Sequence, residues 1–358
     1  MKILMVARRY PPDIRSGTET VFANLYEQAR RHHDVRLVVG YRTSKEGFPV
    51  EANAVDLRGR GAAAYLLMER AAVVQARRFR PDVVLSNSIE VRVPRVPNAV
   101  IVHDLNFGQA GRGLGSRLRE LLYVAQGRTI AGVITVSEAS AERLREVGVP
   151  PDRLTVIGNG VAIDRFVPRP VADPGGTGSP ERPIRFVYPS RILPGKGQHV
   201  AIDALARLRP EQKRRAHLTI VGANADPIYA DRLRIQAYNQ PVTFAFDVPD
   251  ITPYYQDADV VVFPTLMEEG FGFTAVEGMA CARPVIWCDQ PAIREATGGI
   301  GVPVPRDDGE ALRAAMVRLM DNPGEREALG VTGRAYVEAR SWERVWERYE
   351  AVLQGLVR

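Results

Sequence analysis

Short apolar segments alternate with amphipathic segments along almost the whole chain, and this alternation most limits the folds it can adopt. Lys2–Ala7 has the uninterrupted apolar character of a buried strand. Residues 18–31 have helical periodicity, because Val21 and Leu25 recur on one face. Strands that alternate with helices form parallel sheets covered on both faces. We therefore predict an α/β fold of doubly wound, Rossmann-like sheets.

The same pattern predicts the positions of the individual strands and helices. The predicted strands are residues 2–7, 35–39, 82–86, 99–103, 132–136, 154–157, 184–189, 218–221, 242–246, 260–263 and 284–287. The predicted helices are residues 18–31, 62–79, 116–128, 137–147, 198–208, 226–238, 273–281, 311–320, 325–340 and 342–356.

One stretch interrupts the alternation and predicts two domains. Residues 167–183 are rich in Pro, Gly and Ser without periodicity, which is typical of a linker. The chain has 358 residues, and single hydrophobic cores stop growing at about 250–300 residues. We expect an N-terminal domain of residues 1–166, the linker 167–183 and a C-terminal domain of residues 184–340. Residues 341–358 carry an apolar stripe that must pack on another element.

Bulk composition is ordinary for a soluble protein, with 45% hydrophobic and 25% charged residues. The apolar run near the N-terminus is too short for a signal peptide, and no stretch reaches the roughly 18 apolar residues of a membrane span. The only cysteines, Cys281 and Cys288, sit in apolar surroundings and are interpreted as buried thiols. These features predict a cytoplasmic protein.

Positive charge is concentrated in the first half of the chain. Residues 1–167 hold 25 Lys and Arg against 17 Asp and Glu, and residues 58–128 alone hold 12 Arg against 5 acidic residues. Such a patch favours an anionic partner, which includes an acidic substrate or the inner membrane face. An Arg-rich proteome is the alternative, since 44 of the 48 basic residues are Arg. Without aromatic interleaving or a reader motif, nucleic acid is not expected as a partner.

The most informative motif places two carboxylates, Glu269 and Glu277, around a glycine-rich turn. Glycines in that turn let backbone N–H groups approach a ligand closely. The helix that follows offers free amide donors and the positive end of its dipole to a phosphate. The turn therefore predicts an anion site, in which the backbone donors belong to Gly270, Phe271, Gly272 and Phe273.

A second motif follows the first strand of the C-terminal half. Arg191 and Lys196 lie in the loop from Ser190 to Gly197, at the end of the predicted strand 184–189. Two fixed cations at a strand end can neutralise a diphosphate. The loop therefore predicts a second contribution to the same anion site.

These two motifs resemble the E-x7-E and G-R-L-x-x-x-K-G patterns of retaining GT-B glycosyltransferases of family 4, the glycosyl transferases group 1. Ser190 departs from the second pattern, because the family has Gly there. The resemblance implies two Rossmann-like domains facing a cleft, with the C-terminal helix crossing back onto the first domain. It implies that a nucleotide sugar binds the C-terminal half without a metal and that an acceptor binds the N-terminal half.

The resemblance also assigns roles to individual residues. Arg191 and Lys196 would hold the diphosphate, and Glu277 would hold the ribose. Glu269 would bind the hydroxyls of the donor sugar and stabilise positive charge at its anomeric carbon. A histidine that contacts the donor sugar corresponds to His103. The family's G-G-x-E loop corresponds to residues 16–19, and its hinge pattern to residues 157–166. The remaining contacts that it implies are acceptor-side Ser16, Thr18 and Glu19, and donor-side Gly17, Asn159, Phe246 and Val248.

Metal ligands are scarce in the sequence. Asp257 and Asp259 have the D-x-D spacing of metal-dependent transferases, but Asp259 directly precedes a buried strand. We interpret the pair as a helix-to-strand junction. No cluster of His and Cys has metal-binding spacing. Neither a metal nor a cofactor is therefore expected.

The resemblance, together with these features, implies a retaining hexosyltransferase that uses a UDP- or GDP-sugar and a glycan, lipid-linked or small-molecule acceptor. Peripheral contact with an anionic membrane is expected from the basic N-terminal half. A nucleotide-sugar epimerase on the same fold is one alternative. A non-catalytic sugar-binding subunit is another.

Overall fold

The structure is a computed structural model that describes residues 1–13, 17–61, 63–87, 91–103, 130–170, 178–223 and 226–357. It contains two compact units. The first consists of Met1–Gly160 with Trp342–Arg358, and the second of Val161–Ser341. Each unit is built around one parallel sheet.

The first sheet has seven parallel strands in the order β3-β2-β1-β4-β5-β6-β7. Its core lies between the strands and the helix Ala63–Phe79, where Leu4, Val38 and Val84 pack with Met68 and Ala72 of that helix. The strands are β1 Lys2–Ala7, β2 Asp34–Tyr41, β3 Asn53–Asp56, β4 Val83–Ser86, β5 Asn98–Val102, β6 Gly132–Thr135 and β7 Leu154–Val156.

The second sheet has six parallel strands in the order β10-β9-β8-β11-β12-β13. Buried apolar residues fill both faces of its central strands, which is why these strands appear in the sequence as continuous apolar runs. The strands are β8 Ile184–Pro189, β9 Ala216–Gly222, β10 Val242–Phe246, β11 Val260–Phe263, β12 Val285–Cys288 and β13 Val302–Val304.

Helices connect the strands in both units. In the described part of the first unit they span Gly17–His32, Ala63–Phe79, Glu138–Glu146 and Trp342–Val357. In the second unit they span Gln198–Ala206, Pro210–Lys213, Pro227–Gln236, Thr252–Asp257, Phe273–Ala280, Pro291–Thr297, Gly309–Asp321 and Pro323–Glu338. Short 3₁₀ turns lie at Pro151–Arg153 and Pro194–Lys196.

All eleven predicted strands are present, with ends that differ by up to two residues. Two short strands, β3 and β13, were not predicted, because each offers only one or two apolar side chains in three or four residues. Their partners in the sheet, β2 and β12, supply the hydrogen bonds that order them. The predicted helix 116–128 lies outside the described residues.

The domain boundary differs from the expected one. Residues 161–166, predicted for the first domain, belong to the second unit. The physical reason is packing against the second unit: the Phe166 ring lies edge-on to Tyr255 at 5.4 Å between centroids. Arg165 also donates hydrogen bonds to Asp250 at 2.7 Å and to Thr252 at 3.0 Å.

The C-terminal helix Trp342–Val357 belongs to the first unit, as the sequence resemblance implied. It packs on the helix Gly17–His32 and buries an apolar stripe that includes Trp346 and Tyr349. Across this contact, Nε2 of His33 lies 3.3 Å from Oε1 of Glu350. The apolar period of 3.6 residues thus predicted the buried face.

None of the helices in the described ranges combines the length and the apolar character that a bilayer span needs. Cys281 and Cys288 are both buried free thiols. Burial raises the pKa of each thiol above its usual range.

Candidate functional site

Three loops meet at the carboxyl edge of the second sheet. Residues 190–197 follow β8, residues 264–272 follow β11, and residues 289–290 follow β12. These strands are neighbours, and the strand order reverses between β8 and β11. In an open parallel sheet such a reversal creates a crevice in which ligands bind. The motifs that are far apart in sequence are therefore brought to one edge.

Lys196 and Glu269 form the centre of this edge. Nζ of Lys196 lies 2.6 Å from Oε1 of Glu269, and both side chains are nearly buried, with 11% and 14% exposure. The same carboxylate oxygen accepts a hydrogen bond from the hydroxyl of Thr265 at 2.7 Å. The ammonium also lies 5.9 Å from the centre of the Phe263 ring. These two predicted site residues thus form one charge pair.

Backbone contacts fix the loop that carries Lys196. Gly197 has φ of 76°, and a Cβ there would lie 2.3 Å from the carbonyl oxygen of Pro264, so only glycine fits. The hydroxyl of Tyr188 donates to the Lys196 carbonyl. The buried Gln198 amide donates to the Arg191 carbonyl at 2.8 Å. These contacts hold the loop before any ligand arrives, while the Arg191 side chain is exposed.

The glycine-rich turn presents a row of backbone donors. The helix Phe273–Ala280 begins after Gly272, which has φ of 99° and provides no side-chain cap. Within the described residues, the backbone amides of residues 270–274 donate no hydrogen bond. Free amides beside the positive end of a helix dipole form an anion site. The turn therefore has the donors that the sequence predicted.

Glu277 lies one turn into this helix and is partly buried. Its Oε2 accepts a hydrogen bond from the hydroxyl of the buried Tyr255 at 2.7 Å. Burial raises the pKa of Glu277 from 4.5 to about 7, although the Tyr255 hydroxyl acts in the opposite direction. The carboxyl group is therefore poised to change its charge near neutral pH.

Gln290 is a site residue that sequence reasoning missed. Its side chain is 4% exposed and contacts the turn through both amide atoms. Oε1 accepts from the Glu269 amide at 3.1 Å, and Nε2 donates to the Met267 carbonyl at 2.8 Å and to the Thr265 carbonyl at 3.3 Å. One buried amide thus satisfies three backbone groups of the loop that carries Glu269. A lone Gln between β12 and a helix gives no sequence signal of this role.

Replacing Gln290 with leucine is expected to lower the turnover of a donor by roughly 10- to 100-fold, because three backbone groups around Glu269 lose their partner. Gln290→Glu keeps the acceptor for the Glu269 amide, so its turnover is expected to lie between those of the wild type and Gln290→Leu. The exposed Gln354 in the C-terminal helix provides the control Gln354→Leu. Steady-state kinetics with thermal unfolding measure the effect, and equal kinetics in both leucine variants would contradict it.

The D-x-D pair has the structural role that the sequence indicated. Asp259 is buried and accepts from the backbone amide of Arg185 at 2.8 Å and from its guanidinium. Asp257 lies 3.4 Å from the guanidinium of Arg169. Both carboxylates therefore hold arginines around the start of β11. In the described ranges, no group of three His, Cys, Asp or Glu has the geometry to hold a metal.

Phe246 and Val248 lie at and just beyond the carboxyl end of β10. Phe246 ends the edge strand β10, where its ring packs on Phe244 and lies 5.3 Å from the Arg234 guanidinium carbon. Val248 lines a groove of about 500 Å³ beside the helix Thr252–Asp257. The structure does not place either side chain against Lys196 or Glu269, and their contact with a nucleotide base stays a prediction.

The predicted residues of the first unit are distributed over several strand ends. His103 directly follows β5, and burial lowers the pKa of its imidazole to about 4, so the ring is neutral at physiological pH. Asn159 is 2% exposed and directly precedes Gly160 at the unit boundary. Gly17 and Thr18 begin the first helix, with Glu19 buried behind them. Ser16 lies outside the described residues.

Sequence comparison identifies the class of protein that these two units form. The family model described as Glycosyl transferases group 1 matches residues 183–322. The family model described as Glycosyltransferase Family 4 matches residues 15–165. The first match spans all six strands of the second sheet and contains Lys196, Glu269 and Glu277, and the second spans the strands β2 to β7 of the first sheet. The N-terminal part of the chain thus carries a Glycosyltransferase Family 4 domain and the C-terminal part a Glycosyl transferases group 1 domain.

Individual relatives are similar over part of their length. A GDP-mannose-dependent monoacylated alpha-(1-6)-phosphatidylinositol monomannoside mannosyltransferase of Corynebacterium glutamicum is 30% identical over 60% of this chain and 65% of that protein. A D-inositol 3-phosphate glycosyltransferase of Kineococcus radiotolerans is 28% identical over 74% of this chain and 64% of that protein. The chain thus matches slightly less than two thirds of the length of these curated relatives.

Solved structures show that the fold is shared. HepE of Anabaena in complex with UDP superposes with a TM-score of 0.82, at 19% identity over 99% of this chain and 100% of that one. Sucrose-phosphate synthase of Thermosynechococcus elongatus has a TM-score of 0.81, at 20% identity over 99% and 98%. The fold is therefore of the GT-B type that the sequence motifs implied.

Proposed function

We propose that this protein is a retaining glycosyltransferase that transfers a hexose-type sugar from a nucleotide diphosphate sugar without a metal ion. The observation that carries the proposal is the Lys196–Glu269 pair at 2.6 Å, held beside the unbonded amides of residues 270–274. A cation and a row of backbone donors suit a diphosphate, and a carboxylate in contact with that cation suits sugar hydroxyls.

The donor is held by groups with separate tasks. Lys196, Arg191 and the turn amides neutralise the diphosphate, whose charge grows as it leaves the sugar. Glu277 accepts hydrogen bonds from the ribose hydroxyls. Glu269 binds hydroxyls of the sugar and stabilises positive charge at the anomeric carbon. His103, which is neutral, contacts the sugar as a hydrogen-bonding group rather than as a cation.

The chemical step has the acceptor hydroxyl attack the same face of the sugar from which the diphosphate departs. The bond between the anomeric carbon and the diphosphate oxygen breaks, and the new glycosidic bond forms with retention. The departing phosphate takes the hydroxyl proton, so no protein nucleophile is required. Thr18, at the start of the first helix, borders the acceptor in this scheme, and the neighbouring Gly17 borders the donor.

The donor is a UDP- or GDP-sugar, and the acceptor a glycan, a lipid-linked sugar or a small molecule. Support comes from the names of similar proteins: HepE is solved with UDP-glucose, and the corynebacterial relative is GDP-mannose-dependent. Its name also specifies a phosphatidylinositol-based acceptor.

The helix Ala63–Phe79 supports peripheral contact with an anionic membrane on the cytoplasmic side. Leu66 is 69% exposed and Val74 39% exposed on the face that also carries Arg70, Arg77 and Arg78. An exposed face that mixes apolar and basic side chains fits the interface of an anionic bilayer. Retention on phosphatidylglycerol vesicles at low salt, lost in Leu66→Asp, is the expected result.

A thermal-shift screen with UDP, GDP, ADP and their sugars in EDTA tests the proposed donor site. A nucleotide at 100 times its Kd should stabilise the protein by roughly 2.7 kcal/mol. We expect a UDP or GDP compound to do so in the wild type. A shift that appears only with Mg²⁺, or with none of the nucleotides, would contradict metal-free binding.

Product analysis separates the alternatives. A transferase releases free nucleotide and forms a glycoside only when an acceptor is present. An epimerase would convert the donor sugar without an acceptor, and a sugar-binding subunit would bind the donor without turnover. Either result would replace the proposed reaction.

A further inference from the structure

A row of arginines lies at the carboxyl edge of the first sheet. Strands β1, β2 and β3 are parallel neighbours, so their carboxyl ends meet at one edge. Arg8 and Arg9 follow β1, Arg42 follows β2, and Arg58 and Arg60 follow β3. Ligands of open parallel sheets bind at this edge.

Most of these charges lack a carboxylate partner. Arg58 pairs with Asp56 at 2.6 Å between Nη2 and Oδ2. For the stretches of chain that the structure describes, no carboxylate pairs with Arg8, Arg9, Arg42 or Arg60. All of these except Arg8 are exposed. The edge therefore holds four arginines that form no ion pair with a carboxylate in the described residues.

The strand ends are packed closely rather than loosely arranged. A Cβ on Gly40 would lie 2.7 Å from the Arg8 carbonyl oxygen and 2.3 Å from Cδ1 of Leu57, so the ends of all three strands touch at this glycine. The Arg8 guanidinium carbon lies 4.7 Å from the centre of the Tyr65 ring. This stacking restricts the guanidinium before a ligand binds.

The Asp13 carboxylate contacts the backbone around Arg42 and forms no ion pair with the Arg42 guanidinium. It accepts hydrogen bonds from the backbone amides of Arg42 at 2.9 Å, Thr43 at 2.7 Å and Ser44 at 3.1 Å. These bonds tie the loop after β1 to the loop after β2. Asp13 thereby fixes the position of Arg42 and leaves its guanidinium open to another anion.

We propose that this edge binds an anionic group of the acceptor, a phosphate or a carboxylate, through Arg8, Arg9 and Arg42. Guanidinium groups bind both anions through paired N–H donors. The inference rests on the proposed transferase function and adds the chemical class of the acceptor to it. A phosphate could belong to a soluble phosphorylated sugar or to a lipid headgroup.

The first measurement is the Kd of glycerol 3-phosphate. It is followed through the ³¹P line width of that phosphate, with UDP present in excess. UDP occupies the donor site, so the phosphate reports on the first unit. We expect Arg9→Gln and Arg42→Gln each to weaken binding about tenfold or more. Arg31→Gln, an equal charge change on the exposed end of the first helix, should change it less than twofold.

Three results would overturn the inference: no binding to the wild type, no loss in the edge variants, or an equal loss in Arg31→Gln. Competition with phosphatidylglycerol vesicles separates the two sources of the phosphate. If the site binds a lipid headgroup, these vesicles displace glycerol 3-phosphate, whereas phosphate-free vesicles do not. If neither UDP nor GDP binds, the proposed function fails, while titration without nucleotide still tests the edge.

Discussion

Replacing Lys196 with methionine should lower the turnover of the donor by roughly 10²–10³-fold, the loss seen when one fixed stabilising group is removed from a transition state. The ammonium is nearly buried, so water cannot fully replace its charge at the departing diphosphate. Methionine keeps much of the side-chain volume, so packing against Phe263 is retained. Initial rates with the nucleotide sugar that stabilises the wild type measure the effect.

The same substitution leaves the Glu269 carboxylate without its cation. Removing one partner of a partly buried pair should destabilise the fold by about 1–3 kcal/mol. The double variant Lys196→Met with Glu269→Gln should recover most of this stability and none of the turnover. Lys213→Met, in a short helix of the same unit, is the matched control. Recovery of turnover in the double variant would show that Lys196 acts only through folding.

Glu277→Gln should remove a pH dependence from both stability and nucleotide affinity. The pKa of Glu277 is about 7 in the folded chain against 4.5 for an ordinary glutamate, because burial disfavours the charge. Between these values the native state keeps a proton that the unfolded chain loses. The free energy of unfolding therefore falls as pH rises from about 4.5 to 7, by at most about 3 kcal/mol, and is level on either side.

Nucleotide binding should respond in the opposite direction. Only the ionised carboxylate can accept hydrogen bonds from two ribose hydroxyls, so UDP or GDP affinity should rise as pH increases through 7. Glu277→Gln has one acceptor oxygen and should bind roughly 10- to 100-fold more weakly at pH 8, with little pH dependence. It should also be more stable than the wild type at that pH.

Calorimetric titration and thermal unfolding between pH 5 and 8 check both effects. Glu347→Gln, an exposed position in the C-terminal helix, controls for the loss of one negative charge. A parallel change of affinity with pH in wild type and Glu277→Gln would show that another group controls binding.

Local sequence patterns were sufficient for most of the fold. Apolar runs such as Val260–Phe263 are buried on both faces, and this requirement is visible without knowledge of the neighbours. The edge strands β3 and β13 were missed, because their order depends on pairing with β2 and β12. The boundary near residue 160 was misplaced, since the packing of Phe166 on Tyr255 is a contact between distant segments.

The candidate site also contains residues that local sequence patterns predict and residues that only long-range contacts reveal. Glycine-rich turns and strand-end cations carry a local signal, so Lys196, Glu269 and the turn amides were predicted from sequence as site residues. Gln290 was not found, because its role lies in hydrogen bonds to a loop more than twenty residues away. The arginine row of the first sheet was seen only as a general surplus of charge.

The sequence by itself determined two doubly wound parallel sheets, the loops that carry the candidate anion-binding groups, and the resemblance to glycosyltransferases of family 4. These follow from periodicity and short motifs, which are properties of neighbouring residues. Only the tertiary structure decided that Lys196 pairs with Glu269, that Gln290 holds the same loop, and that Arg8, Arg9 and Arg42 follow adjacent strands. Strand order determines which loops meet, and that order depends on the burial of whole strands rather than on any single segment.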